Sequence, residues 1–332
     1  DKNNNYFCDR PSEEAFGFYG QALKLPEDSV VSIRTSLEYP AKVRLLKSSK
    51  VDRGTMQVYF NRPDQDIQIR DFNNNAIEEE RLWWSKFRDT VTVFEFTGQD
   101  SMNLLLVQND SVFDSLMVKM APDPGVKTEL INRYKILSSP QEQGPQAPLV
   151  IQSFHPLKTN AAEVQLQEDS SKVISLPLQL TNPAKGILTL NYPWKEGANY
   201  NIVLNPGQLS DKFNARTDTA RFSFHVPDEK STAILTLKTE GLNPGSSYIL
   251  QLVTEKQEVL NQVELNHDST MTFKYLPANS IKIKVIHDIN RDGHWTPGNF
   301  ATHTQPEPVF IQSDKITLRA NWELETIVKP EF

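Results

Sequence analysis

Along this chain apolar and polar positions alternate with a period of two, in short segments cut by Gly, Pro, Asn and Asp. That pattern belongs to half-buried β-strands joined by tight turns, and it predicts sandwiches rather than helical domains. One strand closes at Val58–Phe60, before the breaker Asn61-Arg62-Pro63. In residues 90–96, Val91, Val93 and Glu95 alternate with Thr92, Phe94 and Phe96. Residues 103–108 and 111–120 flank Asn109-Asp110, a hairpin signal with turn residues suited to positive φ. Only residues 75–84 raise the question of a helix. Glu78, Glu79 and Glu80 carry no apolar stripe there, which predicts a loop entering a strand at Leu82-Trp83-Trp84.

The spacing of these segments divides the chain. Residues 138–148 read S-S-P-Q-E-Q-G-P-Q-A-P, polar and Pro-rich, and predict a linker over 138–147. A second boundary follows the strand 220–226, and a weaker one lies at Tyr39-Pro40. The expected organisation is an N-terminal piece (1–37), a β-sandwich (38–137), the linker, a second sandwich (148–227) and a third (228–332). Residues 1–7, D-K-N-N-N-Y-F, repeat the start of D-I-N-R-D-G-H-W at 288–295, and both runs are followed by a Pro-containing loop with Glu. On that repeat, residues 1–37 are the tail of a domain of the same kind as the last, whose first strands are missing.

Composition narrows the function classes. The 332 residues are enough for two or three domains, and 38% hydrophobic residues support packed cores. A net charge of −7, without any basic block, argues against nucleic acid or anionic membrane as a general partner. The single cysteine, Cys8, leaves no internal disulfide. No apolar run approaches the ~18 residues of a membrane span. The abrupt polar start at Asp1 reads as a mature form or a fragment, with any export signal or anchor upstream.

Two stretches carry a resemblance. Tyr192-Pro193-Trp194-Lys195-Glu196-Gly197-Ala198-Asn199-Tyr200, then Leu209-Ser210-Asp211-Lys212-Phe213 and the strand 221–226, resemble a bacterial Ig-like domain of surface-layer and envelope proteins. Phe273-Lys274-Tyr275-Leu276-Pro277, D-I-N-R-D-G-H-W and the run from Gln305-Pro306-Glu307-Pro308 to Arg319-Ala320-Asn321-Trp322 resemble a prealbumin-like (carboxypeptidase-regulatory-like) domain. Together, with support from Phe60-Asn61-Arg62-Pro63 and residues 84–90, the order resembles Ig-like-domain lipoproteins of the Bacteroidota envelope. The resemblance implies an all-β fold of serial Ig-like β-sandwiches ending in a prealbumin-like sandwich. It also implies an outer-membrane or cell-surface location, with membrane attachment only through a lipidated cysteine upstream. Cys8 is not that residue, since nothing before it resembles an export signal.

Candidate chemistry is sparse. Asp288, Asn290 and Asp292, followed by Gly293, place oxygen ligands at alternating loop positions, a pattern suited to Ca²⁺. Position 12 of such a loop, where a bidentate Glu belongs, is Asn299, so affinity is expected to be weak. The competing reading is an Asx-rich turn bonded to its own backbone. Asp1, Asn3 and Asn5 form a poorer copy. His287, His294 and His303 share a module but not a zinc-binding spacing, and His155, His225 and His267 read as surface or boundary residues. No G-x-S-x-G, H-E-x-x-H or P-loop occurs, so no enzyme is expected. Trp83 and Trp84, adjacent on a strand, point to opposite faces. One of them is either a ligand or partner contact or a sheltered residue at a domain junction. The expected function is a non-enzymatic envelope module that binds or scaffolds an outer-membrane or surface protein. The alternatives are a glycan-binding or adhesive module and an accessory part of a larger surface enzyme.

Overall fold

The computed structural model describes residues 8, 11–19, 33–52, 54–95, 101–119, 131–158 and 162–332. The repeat at residues 1–7, with its Asp1, Asn3 and Asn5, lies outside them. The chain is all-β, with 50% strand and 2% helix, as the alternation predicts. It divides into two units, residues 42–227 and residues 1–41 with 228–332.

The larger unit contains two sandwiches. The first has β1 (Leu45–Asp52), β2 (Thr55–Phe60), β3 (Ile67–Asp71), β4 (Leu82–Trp84), β5 (Thr90–Phe94), β6 (Ser101–Gln108) and β7 (Ser111–Lys119). Its sheets run β1-β2-β5-β4 and β3-β6-β7, and they share one core. Met56, Val58, Val91 and Val93 come from one sheet, and Ile67, Ile69, Leu104 and Leu106 from the other, at every second position of their strands. The β6–β7 turn has Asn109 at φ 49° and Asp110 at φ 58°. Two consecutive left-handed residues match the right-handed twist of the flanking strands, and Asn and Asp tolerate that conformation best after Gly. Before β4 the chain makes a single 3₁₀ turn, Glu79–Arg81, and no longer helix.

The second sandwich has β8 (Ile131–Asn132), β9 (Tyr134–Ser138), β10 (Leu149–Ser153), β11 (Ala162–Glu168), β12 (Ile174–Asn182), β13 (Ile187–Leu190), β14 (Asn199–Leu204), β15 (Arg216–Thr217) and β16 (Ala220–His225). Seven of these run in the order β16-β14-β11-β12-β13-β10-β9. β12 links the two halves: Ile174–Leu178 pairs with β11, and Gln179–Asn182 pairs with β13. Leu149, Ile151, Val164, Leu166, Leu188, Tyr200 and Ile202 fill the core from both halves. Residues 138–148, expected as a linker, instead connect two paired strands, since β9 and β10 lie antiparallel with Ser138 opposite Val150. The connection holds a one-turn helix, α1 (Pro140–Gln143), which ends at Gly144 with φ 86°. Its Pro content marks a helix start at N1 here, not an extended spacer.

The other unit has β17 (Ala233–Thr239), β18 (Ser247–Thr254), β19 (Val259–Leu265), β20 (Thr270–Leu276), β21 (Ser280–Asp288), β22 (Val309–Ile311), β23 (Ile316–Thr317) and β24 (Trp322–Val328). Its sheets run β20-β17-β24 and β19-β18-β21-β22, with β23 also on β21. β17 and β24 are parallel, in unbroken register from Ala233/Trp322 to Thr239/Val328. Leu235, Leu237, Leu250, Leu252, Ile283 and Val285 meet in the core. The described part of the N-terminal segment packs into this unit. Phe16 bridges to Ser36, the Gly298 N–H donates to Ser36 Oγ at 2.9 Å, and Phe16 meets Phe300 edge-on at 5.4 Å.

Candidate functional site

The residues with the most chemistry gather where the two sandwiches of the larger unit meet. On β4 and β5, Leu82, Trp84, Val91 and Val93 face the first core. Strand alternation turns Trp83, Thr92 and Phe94 to the opposite face. Phe94 is nevertheless fully buried, because that face is covered by loops of the second sandwich. Trp83 meets Phe94 edge-on at 4.7 Å and donates its indole N–H to the Ala184 carbonyl at 2.5 Å. Phe213 reaches from the loop after Asp211 to within 6.2 Å of the Phe94 ring. Gly54, with φ +71°, makes room for it: a Cβ there would lie 2.6 Å from the Phe213 ring and 2.7 Å from the Glu95 carbonyl. Lys212 and Glu80 close the edge at 3.1 Å.

Behind Phe213 lies a buried polar group. His155 Nδ1 and Asp211 Oδ2 are 2.6 Å apart, with side-chain exposures of 1% and 0%. Asp211 Oδ1 accepts the backbone N–H of Phe213 at 3.0 Å and of Ala215 at 2.8 Å. Ser153 Oγ accepts the His155 N–H and lies 2.7 Å from the His155 carbonyl and 3.0 Å from Asn132 Oδ1. Burial and the Asp211 charge push the Tyr134 phenol well above its ordinary range, so it stays protonated. Buried polar groups need hydrogen-bond partners, and Asp211 has two backbone N–H groups and the His155 ring nitrogen. Ser153 faces the His155 backbone rather than its ring, so Ser153, His155 and Asp211 do not form a nucleophile–base relay.

His155 therefore corrects the expectation of a surface or boundary residue. Its sequence neighbourhood, Ser-Phe-His-Pro, looks like a strand end, and its partner lies 56 residues away. His225 and His267 are exposed, as expected. Phe213, Gly54 and Asp211 were not singled out by sequence reasoning as site residues. The available signal was Phe94 on the polar phase of its strand beside Trp83, which marks a face that something must cover.

Trp84, the other predicted contact residue, belongs to the first core's edge. It stacks on Phe60 at 6.1 Å, and the Arg88 guanidinium lies 4.1 Å from its ring centre. Trp83 and Trp84 are both half-buried. A cleft of about 480 Å³ at the junction is lined by Glu80, Leu157, Asn182, Ala184 and Lys212 among others.

In the third sandwich, Asp288, Asn290 and Asp292 share one loop, and each is already hydrogen-bonded. The buried Asp288 accepts the N–H of Asp292 and of Gly293, both at 3.1 Å. Asn290 Oδ1 accepts the Asp292 N–H, and its Nδ2 donates to Asp292 Oδ2 at 2.9 Å. Asp292 Oδ1 accepts the His294 N–H. Glu307, also buried and expected from sequence only as part of the resemblance, not as a site residue, accepts the N–H groups of Ile289, Asn290 and Thr296. Backbone and amide donors face these carboxylates, the arrangement of an Asx-rich turn. Among the described residues no three His, Cys, Asp or Glu side chains are grouped to hold a metal. The three histidines of this unit sit apart in function: His287 stacks on Tyr248, His294 pairs with Asp292, and His303 lies on Phe18.

Among the described residues no helix is long and apolar enough to cross a membrane. No family model matches the chain, and no curated protein matches it. Solved structures offer only distant likenesses. One is the pullulanase SAP of group B Streptococcus, 15% identical over 58% of this chain and 24% of that one, with a TM-score of 0.19. The chain thus spans about a quarter of the pullulanase's length. Another is the native α2-macroglobulin of Escherichia coli, 11% identical over 84% and 97% of the two chains, with a TM-score of 0.24. A third is a tetra-tandem repeat in the extending region of a large adhesion protein, 8% identical over 83% and 73%, with a TM-score of 0.19. At such identities and scores, none of them bears on what this chain does.

Proposed function

We propose that the protein is a non-enzymatic scaffolding module of a bacterial cell envelope, presenting its Ig-like sandwiches to an outer-membrane or surface protein. The reading extends to the type: an envelope lipoprotein of the Bacteroidota kind, anchored by a lipidated cysteine upstream, with a prealbumin-like last domain. The observation that supports it best is the junction of the larger unit. Phe94, Trp83, Phe213 and Gly54 interlock two sandwiches that loops alone would leave free to swing. Holding two modules at a fixed spacing is of use to a scaffold and of none to a flexible tether. The buried polar groups support it too, because His155, Asp211, Asp288 and Glu307 are bound up in positioning backbone.

Photo-crosslinking from surface positions of the intact protein, in the envelope of a cell that makes it, tests the reading. One discrete membrane-protein adduct is expected, and a strictly monomeric protein with no adduct from any face overturns it. Glycan contact through Trp83 is a second reading, favoured by that ring's part exposure beside the junction cleft. Binding on a glycan array that Trp83→Ala abolishes, in a protein that yields no adduct, would put it first.

A further inference from the structure

The His155–Asp211 pair does more than occupy a core. The loop from Asp211 to Ala215 carries Phe213 into the first sandwich, and Asp211 holds that loop by two of its N–H groups. The loop is also tied to the segment that bears His155: the Lys212 N–H donates to the Pro156 carbonyl at 3.0 Å, and beside it the Lys158 N–H donates to the Ser210 carbonyl at 2.8 Å. The His155 ring also packs on Phe213, with centroids 4.7 Å apart. His155 in turn is placed by Ser153, whose own N–H donates to the Gly186 carbonyl at 2.9 Å. Gly186 lies two residues from Ala184, whose carbonyl receives Trp83. The buried pair thus sets the loop that carries Phe213, and the Ser153 backbone joins it to the loop that receives Trp83.

We propose that His155 and Asp211 are the latch of this elbow, positioning residues that fix the angle between the two sandwiches by seating Phe213 against Gly54 and Phe94. This deepens the scaffold reading, since it says what makes the spacing rigid, but it is a property of the isolated protein and needs no partner. Removing a polar core pair elsewhere would weaken the second sandwich only. Removing this one unseats a wedge, and an interface held by a wedge switches between seated and unseated states instead of deforming gradually.

Spin labels on Ser111 of the first sandwich and Ser171 of the second, in the full chain with Cys8→Ser, report the elbow by electron–electron distance. The parent is expected to give one narrow distance distribution. Phe213→Ala and Asp211→Leu are each expected to broaden it to about twice its width or more, as the modules gain a swinging motion. His155→Asn, whose amide can still donate to Asp211, should keep much of the narrow peak, whereas His155→Leu should lose it. Near-UV circular dichroism of the Trp194–Tyr200 cluster monitors the second core in every variant. A narrow distribution in Phe213→Ala overturns the proposal, since that variant removes the wedge while leaving the apolar core of each sandwich intact. So does an Asp211→Leu protein that is less stable but no broader. Failure to find an envelope partner leaves these outcomes unchanged.

Discussion

Among single residues the buried carboxylates decide most, because each one fixes a loop by accepting backbone N–H groups. Asp292 stands at the rim of the Asp288 loop, accepting from His294 and from the Asn290 amide. Asp292→Ala deletes these bonds, the one from the Thr296 hydroxyl and the pairing with the His294 ring, and at this exposed position should cost about 1–2 kcal/mol. Since donors already face these oxygens, thermal melts in millimolar Ca²⁺ and in chelator should coincide, for parent and variant alike. A Ca²⁺-dependent rise of several degrees that the variant abolishes would show an oxygen cage instead. Glu240 makes a different prediction. Hydrogen bonds and charge from Lys238 and Lys329, both at 2.8 Å, hold its carboxyl down at about 2 against an ordinary 4.5. A depressed acid contributes stability above its unfolded pKa and loses it as the pH falls through the folded one. The parent should therefore lose stability between pH 4.5 and 2 by a step that Glu240→Gln lacks, read from melts across that window.

At the level of elements, local pattern carried far and long-range pairing did not. The Asn109-Asp110 turn was legible because two left-handed residues between alternating runs have one common use. The alternation at residues 90–96 was legible too, and Val91 and Val93 are buried. The residues 138–148 misled, since proline and glutamine mark a spacer and a capped turn equally well. What separates the two is the pairing of β9 with β10, which no local window contains. The same limit hid the junction: His155 and Asp211 are 56 residues apart, and Phe213 meets Phe94 across more than a hundred positions. Limited proteolysis distinguishes the two views of residues 138–148. Ser139, Pro140, Gly144 and Pro145 are buried, and the Gly144 N–H is bonded to Pro140. Early cuts should therefore fall elsewhere in the chain, judged by mass spectrometry of the first fragments, whereas a true linker would be cut first.

For the whole molecule the question is how many bodies three cores make. The described residues have one core in the first sandwich, one in the second and one in the C-terminal sandwich. If each melted alone, calorimetry would resolve three endotherms of similar size. The junction argues for fewer, because the fully buried Phe94 belongs to the first sandwich and is covered by the second. Unfolding either partner exposes that ring, the Phe213 ring and the indole of Trp83, and takes the Glu80 and Lys212 pair with it. Fully burying an aromatic contributes roughly 1.5–3 kcal/mol, so the buried Phe94 with the half-buried Phe213 and Trp83 couples the sandwiches by a sizeable fraction of a small domain's own stability. Residues 42–227 should then melt as one transition. With about 0.7 kcal/mol per residue near 60 °C and roughly 190 residues, its enthalpy should be about 130 kcal/mol, against about 65 for a single sandwich. The agreement of calorimetric and van't Hoff enthalpies for the largest endotherm of the intact chain is the measurement that checks it. Phe213→Ala should divide that endotherm into two of about half the size, while the transition of the C-terminal sandwich stays where it was. A parent that already melts in three equal steps would mean that the two sandwiches touch without being coupled.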